Sequence, residues 1–156
     1  MTENTPSPEK APSFAIKGQY VKDISFESPN APQSLFAANN APKIEVNVEL
    51  KAQKLQDNIF ETTLHITARS TSEGNALFLA DVAYAGIFEI NNIPQEHVEP
   101  LIMVDCPFVL FPFARRVISD LTRDGGFPPL MLDPIDFHAL YTQNKERIKS
   151  GGSDQA

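Results

Sequence analysis

Three histidines, one cysteine and 20 acidic residues are the groups in this 156-residue chain from which chemistry could be built. They do not fall into a catalytic pattern. His65, His97 and His138 are scattered, and none has metal-ligand spacing. Cys106 stands between an acid and a proline, where a small buried side chain is the simplest role. No glycine-rich phosphate loop, nucleophile elbow or zinc motif occurs, and GGSD at 151–154 reads as tail. The chain is therefore read as no enzyme, with no metal and no cofactor. What remains is surface chemistry. Asp23, Glu27 and Asp81 are expected on strand exteriors, accompanied by an exposed Leu79. Solvation is the default role of such carboxylates; gathered on one face, they suit a basic partner.

The totals agree. With 13 basic against 20 acidic residues the net charge is −7, which disfavours nucleic acid and anionic membranes as partners. No apolar run approaches the roughly 20 residues that span a bilayer, so stable membrane insertion is not expected. The N-terminal residues lack the apolar core of a signal peptide, and one cysteine allows no intrachain disulfide. A cytoplasmic location is the simplest expectation. The length suits one domain: 13–149, between a disordered tail at 1–12, with three prolines, and a flexible tail at 150–156.

The elements that must hold these residues are legible as periodicities. Phe14, Ile16, Tyr20, Ile24 and Phe26 share one parity of a first strand; Asp23 and Glu27 share the other. A proline-rich connection at 29–42 follows, pinned by Leu35 and Phe36. A second strand alternates cleanly from Ile44 to Ala52. The third is expected to bury Phe60, Leu64, Ile66 and Ala68 and to expose Glu61, Thr63, His65, Thr67 and Arg69. In the fourth, Phe78, Ala80, Val82 and Tyr84 face in, yet Leu77, Leu79 and Ala83 accompany Asp81 outside. Gly86 suggests a bulge there.

Helices come afterwards. A short one from Pro94 should stop near Cys106-Pro107. The next stretch, CPFVLFPFARRVISDLTR at 106–123, is apolar on nearly every side in its first half. Its second half aligns Phe113, Val117 and Leu121, and Pro112 should bend or break it. A helix greasy all round needs cover on more than one side. A second copy of the chain is the natural source of that cover. The segment 125–134 is extended and greasy, with Phe127, Leu130, Met131 and Leu132. A last helix, capped by Asp133 or Asp136, docks one face through Phe137, Leu140, Tyr141, Asn144 and Ile148. Four strands followed by helices predict an α+β fold: an antiparallel four-stranded sheet with the long helix and the C-terminal helix on one face. The apolar loop beside the aromatic helix could form a groove for an extended polypeptide, lined by Phe127, Leu130, Met131, Leu132, Phe137 and Tyr141. Phe108, Phe111 and Phe137 could equally pack the core.

KDISFESPNAP at 22–32, GIFEI at 86–90 and CPFVLFPFARRVISDLTRDGGFPPLMLDPIDFHALY at 106–141 resemble the SecB protein-export chaperones of Gram-negative bacteria. The resemblance spans about residues 13–145, in order, and the proline-rich N-terminal extension suits an alphaproteobacterial member. It implies a homotetramer, a dimer of dimers. First strands carrying Phe14 and Ile16 would pair across a dimer, and long helices would meet through Val109, Phe113, Val117 and Leu121. It implies apolar client grooves for unfolded precursors, and docking of the SecA motor ATPase through a basic, zinc-bearing peptide. The docking positions correspond to Asp23, Glu27, Leu79 and Asp81; relatives mostly carry glutamate at the last, so aspartate keeps the charge with a shorter reach. Binding would need no ATP, because several weak sites on one long client raise the effective concentration. The alternatives are a SecB-like chaperone of a toxin–antitoxin system and a small hydrolase.

Overall fold

The computed structural model describes residues 11–36 and 41–151, with side chains through Lys145. Apart from Ala11, Pro12, Ser150 and Gly151, the expected tails lie outside the described residues, as does the Ile148 side chain. Four long strands, β1 (Ser13–Glu27), β2 (Lys43–Gln56), β3 (Ile59–Ser72) and β4 (Asn75–Asn91), form one antiparallel sheet in the order β1-β4-β3-β2. Two tight turns join β2 to β3 and β3 to β4. The second places Glu73 and Gly74 at φ 51° and 82°, the twist that a two-residue hairpin needs. β1 and β2 are opposite edges, so the connection between them must cross the sheet. Asn30 anchors it by donating to the Ala76 carbonyl at 2.8 Å. Leu35 rests near Gly126, but Phe36 is 83% exposed and pins nothing.

Alternation holds along β3 from Leu64 to Ala68 and along β4 from Phe78 to Tyr84, and fails along β1. Register shifts between Ile16 and Gly18 and between Val21 and Asp23 insert two bulges. Phe14 and Ile16 therefore face the core side opposite Ile90 and Phe88, and Ile24 and Phe26 do so opposite Val82 and Ala80. Between the bulges the parity is reversed. Val21 turns inward opposite Tyr84, and Tyr20, expected inside, turns out. β4 carries no bulge at Gly86. A side chain there would meet Leu110 and Phe88 at 2.8 Å, so the glycine lets the helix layer approach the sheet.

The helices run from α1 (Gln95–Pro100) through one wide π-helical turn (Leu101–Asp105) into α2 (Cys106–Asp124), without the expected stop at Cys106. In the wide turn the Cys106 N–H donates to the Leu101 carbonyl. At that spacing the Ile102 carbonyl would await residue 107, and Pro107 has no N–H to give. Thr62 of β3, fully buried, donates to it instead at 3.2 Å. Helix α2 continues through Pro112. Its buried stripe is Cys106, Pro107, Leu110, Phe111, Ala114, Ile118 and Thr122, packed over β3 and β4 against Leu64, Ile66, Val82 and Phe88. The following loop is tied to α2: Leu130 N–H donates to Thr122 Oγ1 at 2.9 Å, and Phe127 N–H to the Thr122 carbonyl at 3.0 Å. Asp136 caps α3 (Phe137–Gly151) by accepting from Ala139 N–H at 3.0 Å.

Candidate functional site

The sheet face turned away from the helices carries the charged residues. On β1, Asp23 and Glu27 both follow the second bulge and point outward together. Glu27 stands opposite Leu79 of β4, Ser25 opposite Asp81, and Asp23 opposite Ala83. Two neighbouring strands thus bring Asp23, Glu27, Leu79 and Asp81 onto one patch. The remaining strands extend it. Glu49 of β2 faces His65 of β3, and Glu45 faces Arg69. A depression of about 300 Å³ lined by Glu45, Asn47, Thr67, Arg69, Leu79 and Asp81 adjoins another of about 580 Å³, reached by Asp23, Lys51, Glu61 and His65.

Two interactions here were not visible in the sequence. His65, expected to be a plain surface residue, brings Nε2 to 2.5 Å from Asp81 Oδ1 and Nδ1 to 3.8 Å from Glu49 Oε2. Glu61, expected to be exposed, is buried on this outer face, and so is Thr63. The outward-turned Tyr20 donates its hydroxyl to the Glu61 carboxylate, Lys22 reaches it at 2.7 Å, and Gln53 donates at 3.0 Å. Hydrogen bonds from Lys22 and Tyr20 hold the Glu61 carboxyl below the usual range. Burial, and then the Glu61 hydrogen bond, push the Tyr20 hydroxyl up to about 12. The β1 bulges create this cluster, and bulges leave little trace in composition.

The helix-bearing face holds the apolar candidates. Phe14, Ile16, Val21 and Ile24 line the inner side of β1 and are 38%, 43%, 43% and 46% exposed, because α2 lies over β3 and β4 and not over this edge. Ile44 and Val46 are bare at the far end of β2. Along α2, Val109, Val117 and Leu121 are half-buried at the margin of the core stripe. Phe113 stacks on Tyr84 at 6.1 Å yet remains 46% exposed. The expected groove is only partly open. Met131 is exposed and Leu130 half-buried. Phe127 packs tilted on Phe78 and Phe26 at 5.1 and 6.5 Å. Leu132, Phe137 and Tyr141, expected on the groove wall, are instead buried; Phe137 meets the edge of Phe111 at 6.0 Å. Helical spacing alone cannot separate a docked aromatic face from an open one. A different depression, about 420 Å³, lies between the β2–β3 end and α1, with Phe60, Val98, Ile102 and Met103 in its lining.

Cys106 is fully buried, and desolvation pushes its thiol up to about 12, a protonated and unreactive state. His97 and His138 are exposed on helices. Among the described residues no His, Cys, Asp and Glu group has metal-binding geometry, and no helix is long and apolar enough to cross a membrane.

Comparison with known proteins places this architecture. The SecB family profile, described as preprotein translocase subunit SecB, matches residues 7–148. The protein-export protein SecB of Rhodopseudomonas palustris strain HaA2 is 48% identical over 155 residues, covering 97% of this chain and 98% of its own. SecB of Bradyrhizobium diazoefficiens is 46% identical over 147 residues, covering 94% and 91%. Among solved structures, the Mycobacterium tuberculosis Rv1957 SecB-like chaperone, in complex with a ChAD peptide from the Rv1956 HigA1 antitoxin, superposes with a TM-score of 0.64. Its identity is 17%, over 78% of this chain and 90% of that one, so the likeness is one of fold. With a family match over nearly its whole length and nearly half its residues shared with export chaperones of alphaproteobacteria, the chain belongs to the SecB family.

Proposed function

We propose that this chain is a cytoplasmic, ATP-independent holdase that keeps precursor proteins unfolded and passes them to the SecA motor. One observation carries the reading: apolar side chains remain uncovered on the helix-bearing side. Ile16, Ile44, Val46, Phe113 and Met131 are 41–62% exposed in a chain whose core is otherwise closed. That surface is more than one subunit can cover. Part of it, along β1 and α2, is assigned to contacts between copies in a dimer of dimers. The rest, at Ile44, Val46, Leu130 and Met131, is assigned to clients. Each buried client side chain contributes about 1.5–3 kcal/mol at most, so a single site holds weakly and releases quickly. Several sites on one long chain multiply the affinity by roughly 10²–10⁴, without nucleotide. A folded protein offers no exposed apolar segment, so slow folders are the ones captured.

The acidic face, on the opposite side of the sheet, is assigned to SecA through Asp23, Glu27, Leu79 and Asp81. Placement on opposite faces lets both ligands bind together. The test uses an unfolded precursor and SecA in parallel. Val46→Asp with Met131→Asp should weaken precursor binding about tenfold or more and leave SecA binding intact. Asp23→Lys with Asp81→Lys should do the reverse. If both pairs of changes impair both ligands equally, or neither, the two-face assignment is wrong.

A further inference from the structure

Within the acidic face His65 sits between two carboxylates in a way that is not symmetric. Its Nε2 is 2.5 Å from Asp81 Oδ1, and a carboxylate there must accept, so Nε2 carries the hydrogen of the neutral ring. Nδ1 then points a lone pair toward Glu49, whose Oε2 is 3.8 Å away. Two acceptors face each other across that gap. A second proton on the ring, at Nδ1, converts the gap into an attraction and completes a bridge from Glu49 through imidazolium to Asp81. The flanking charges are Lys22 and Asp23 from β1, Glu45 and Lys51 from β2, and Glu61 and Arg69 from the same strand. Lys22 is tied to Glu61. The ring is 30% exposed, and the two carboxylates 42% and 57%, so all three are reachable from solvent.

We infer that His65 is a positioning residue that governs how much of Asp81 is available to a cationic partner, and that its protonation withdraws Asp81 and Glu49 from docking into an internal bridge. The inference rests on the assignment of this face to SecA. It adds Glu49 and β2 to that face, and it gives docking a direction in pH. Imidazole changes charge between about pH 5 and 8. A positive charge at the centre of the patch opposes a basic ligand, so docking weakens when the ring carries its second proton.

The experiment measures the SecA dissociation constant at pH 8 and pH 6 for the wild type, His65→Gln, Glu49→Gln and Asp81→Asn, each checked for native circular dichroism and assembly size. SecA titrates in every case, so the comparison is the ratio of the two constants between variants. The wild type is expected to weaken on acidification by roughly three- to fivefold more than His65→Gln, the size of an exposed ion pair. Glu49→Gln should likewise lose much of this dependence, because Nδ1 then faces an amide. Asp81→Asn should weaken docking at pH 8. Equal ratios in the wild type and His65→Gln overturn the role of His65 and leave the docking face standing. Binding that ignores Asp81→Asn, or no SecA binding at all, overturns the docking assignment and the inference with it.

Discussion

At the scale of single residues, Glu61 has the least expected environment. It is the one carboxylate buried among the described residues, and it faces the side of the sheet that should be wet. Three donors satisfy it: Gln53 of the adjacent β2, and Tyr20 and Lys22 of β1, which reach it across β4. Because these partners favour the ionised form, the folded-state pKa lies below the unfolded one. A group with that sign stabilises the fold above its unfolded pKa, near 4.3, and loses the contribution as pH falls through the folded value. Glu61→Gln should lower stability at pH 7 by about 1–3 kcal/mol, toward the lower end because the Lys22 side chain is 46% exposed. Denaturation midpoints of the two proteins should differ constantly from pH 7 to 5 and converge below pH 4. A gap that widens on acidification would show that the carboxylate is not held ionised. Composition gave no sign of this site. Alternation put Glu61 on the outer face correctly, but it could not say that neighbouring side chains would close over it.

At the scale of elements, the π-helical turn explains how a chain with prolines at 100, 107 and 112 keeps one helical run from residue 95 to 124. Pro107 leaves the Ile102 carbonyl without its helical donor, and Thr62 supplies one from the sheet. Pro112 orphans the Phe108 carbonyl on a side of the helix where both residues are exposed and water can serve. A proline is therefore read correctly as a lost hydrogen bond and wrongly as a break, since the outcome depends on what faces the freed carbonyl. Gly86 is the same kind of case: its position in β4 was legible, and its reason, the approach of Leu110, was not. The clean strands, β2 to β4, and the shared face of Asp23 and Glu27 followed from period two because no bulge intervenes between the residues compared. Tyr20 was misplaced because two do. The staple yields its own prediction. Thr62→Val keeps volume but leaves a buried carbonyl without a donor, and should cost about 1–3 kcal/mol in denaturant unfolding. Thr67→Val, on the half-buried outer face of the same strand, should change stability by no more than about 0.5 kcal/mol. Equal losses would mean that the hydroxyl at 62 is not what secures the wide turn.

At the scale of the whole molecule, the sheet has two open edges and only part of one face under helices. β1 presents Phe14, Ile16, Val21 and Ile24 beside a free edge, the combination that invites pairing with another strand. On α2 the exposure runs along the line of Phe113, Val117 and Leu121 next to the buried stripe, which is where a second helix layer would rest. The two surfaces are on different elements, so they can be broken separately. Phe113→Glu removes apolar area from the helix surface, and the mutated side chain can still reach water in an isolated dimer because the position is 46% exposed. Light scattering should then report a tetramer for the wild type and a dimer for Phe113→Glu, with native circular dichroism retained. Ile16→Asp acts on the other surface and should likewise halve the assembly, leaving pairs joined through α2 alone. If the wild type scatters as a monomer, the uncovered apolar rows have no partner copy, and all of them return to the client-binding surface. A single subunit would then have to hold a long client without the multivalency on which weak apolar sites depend.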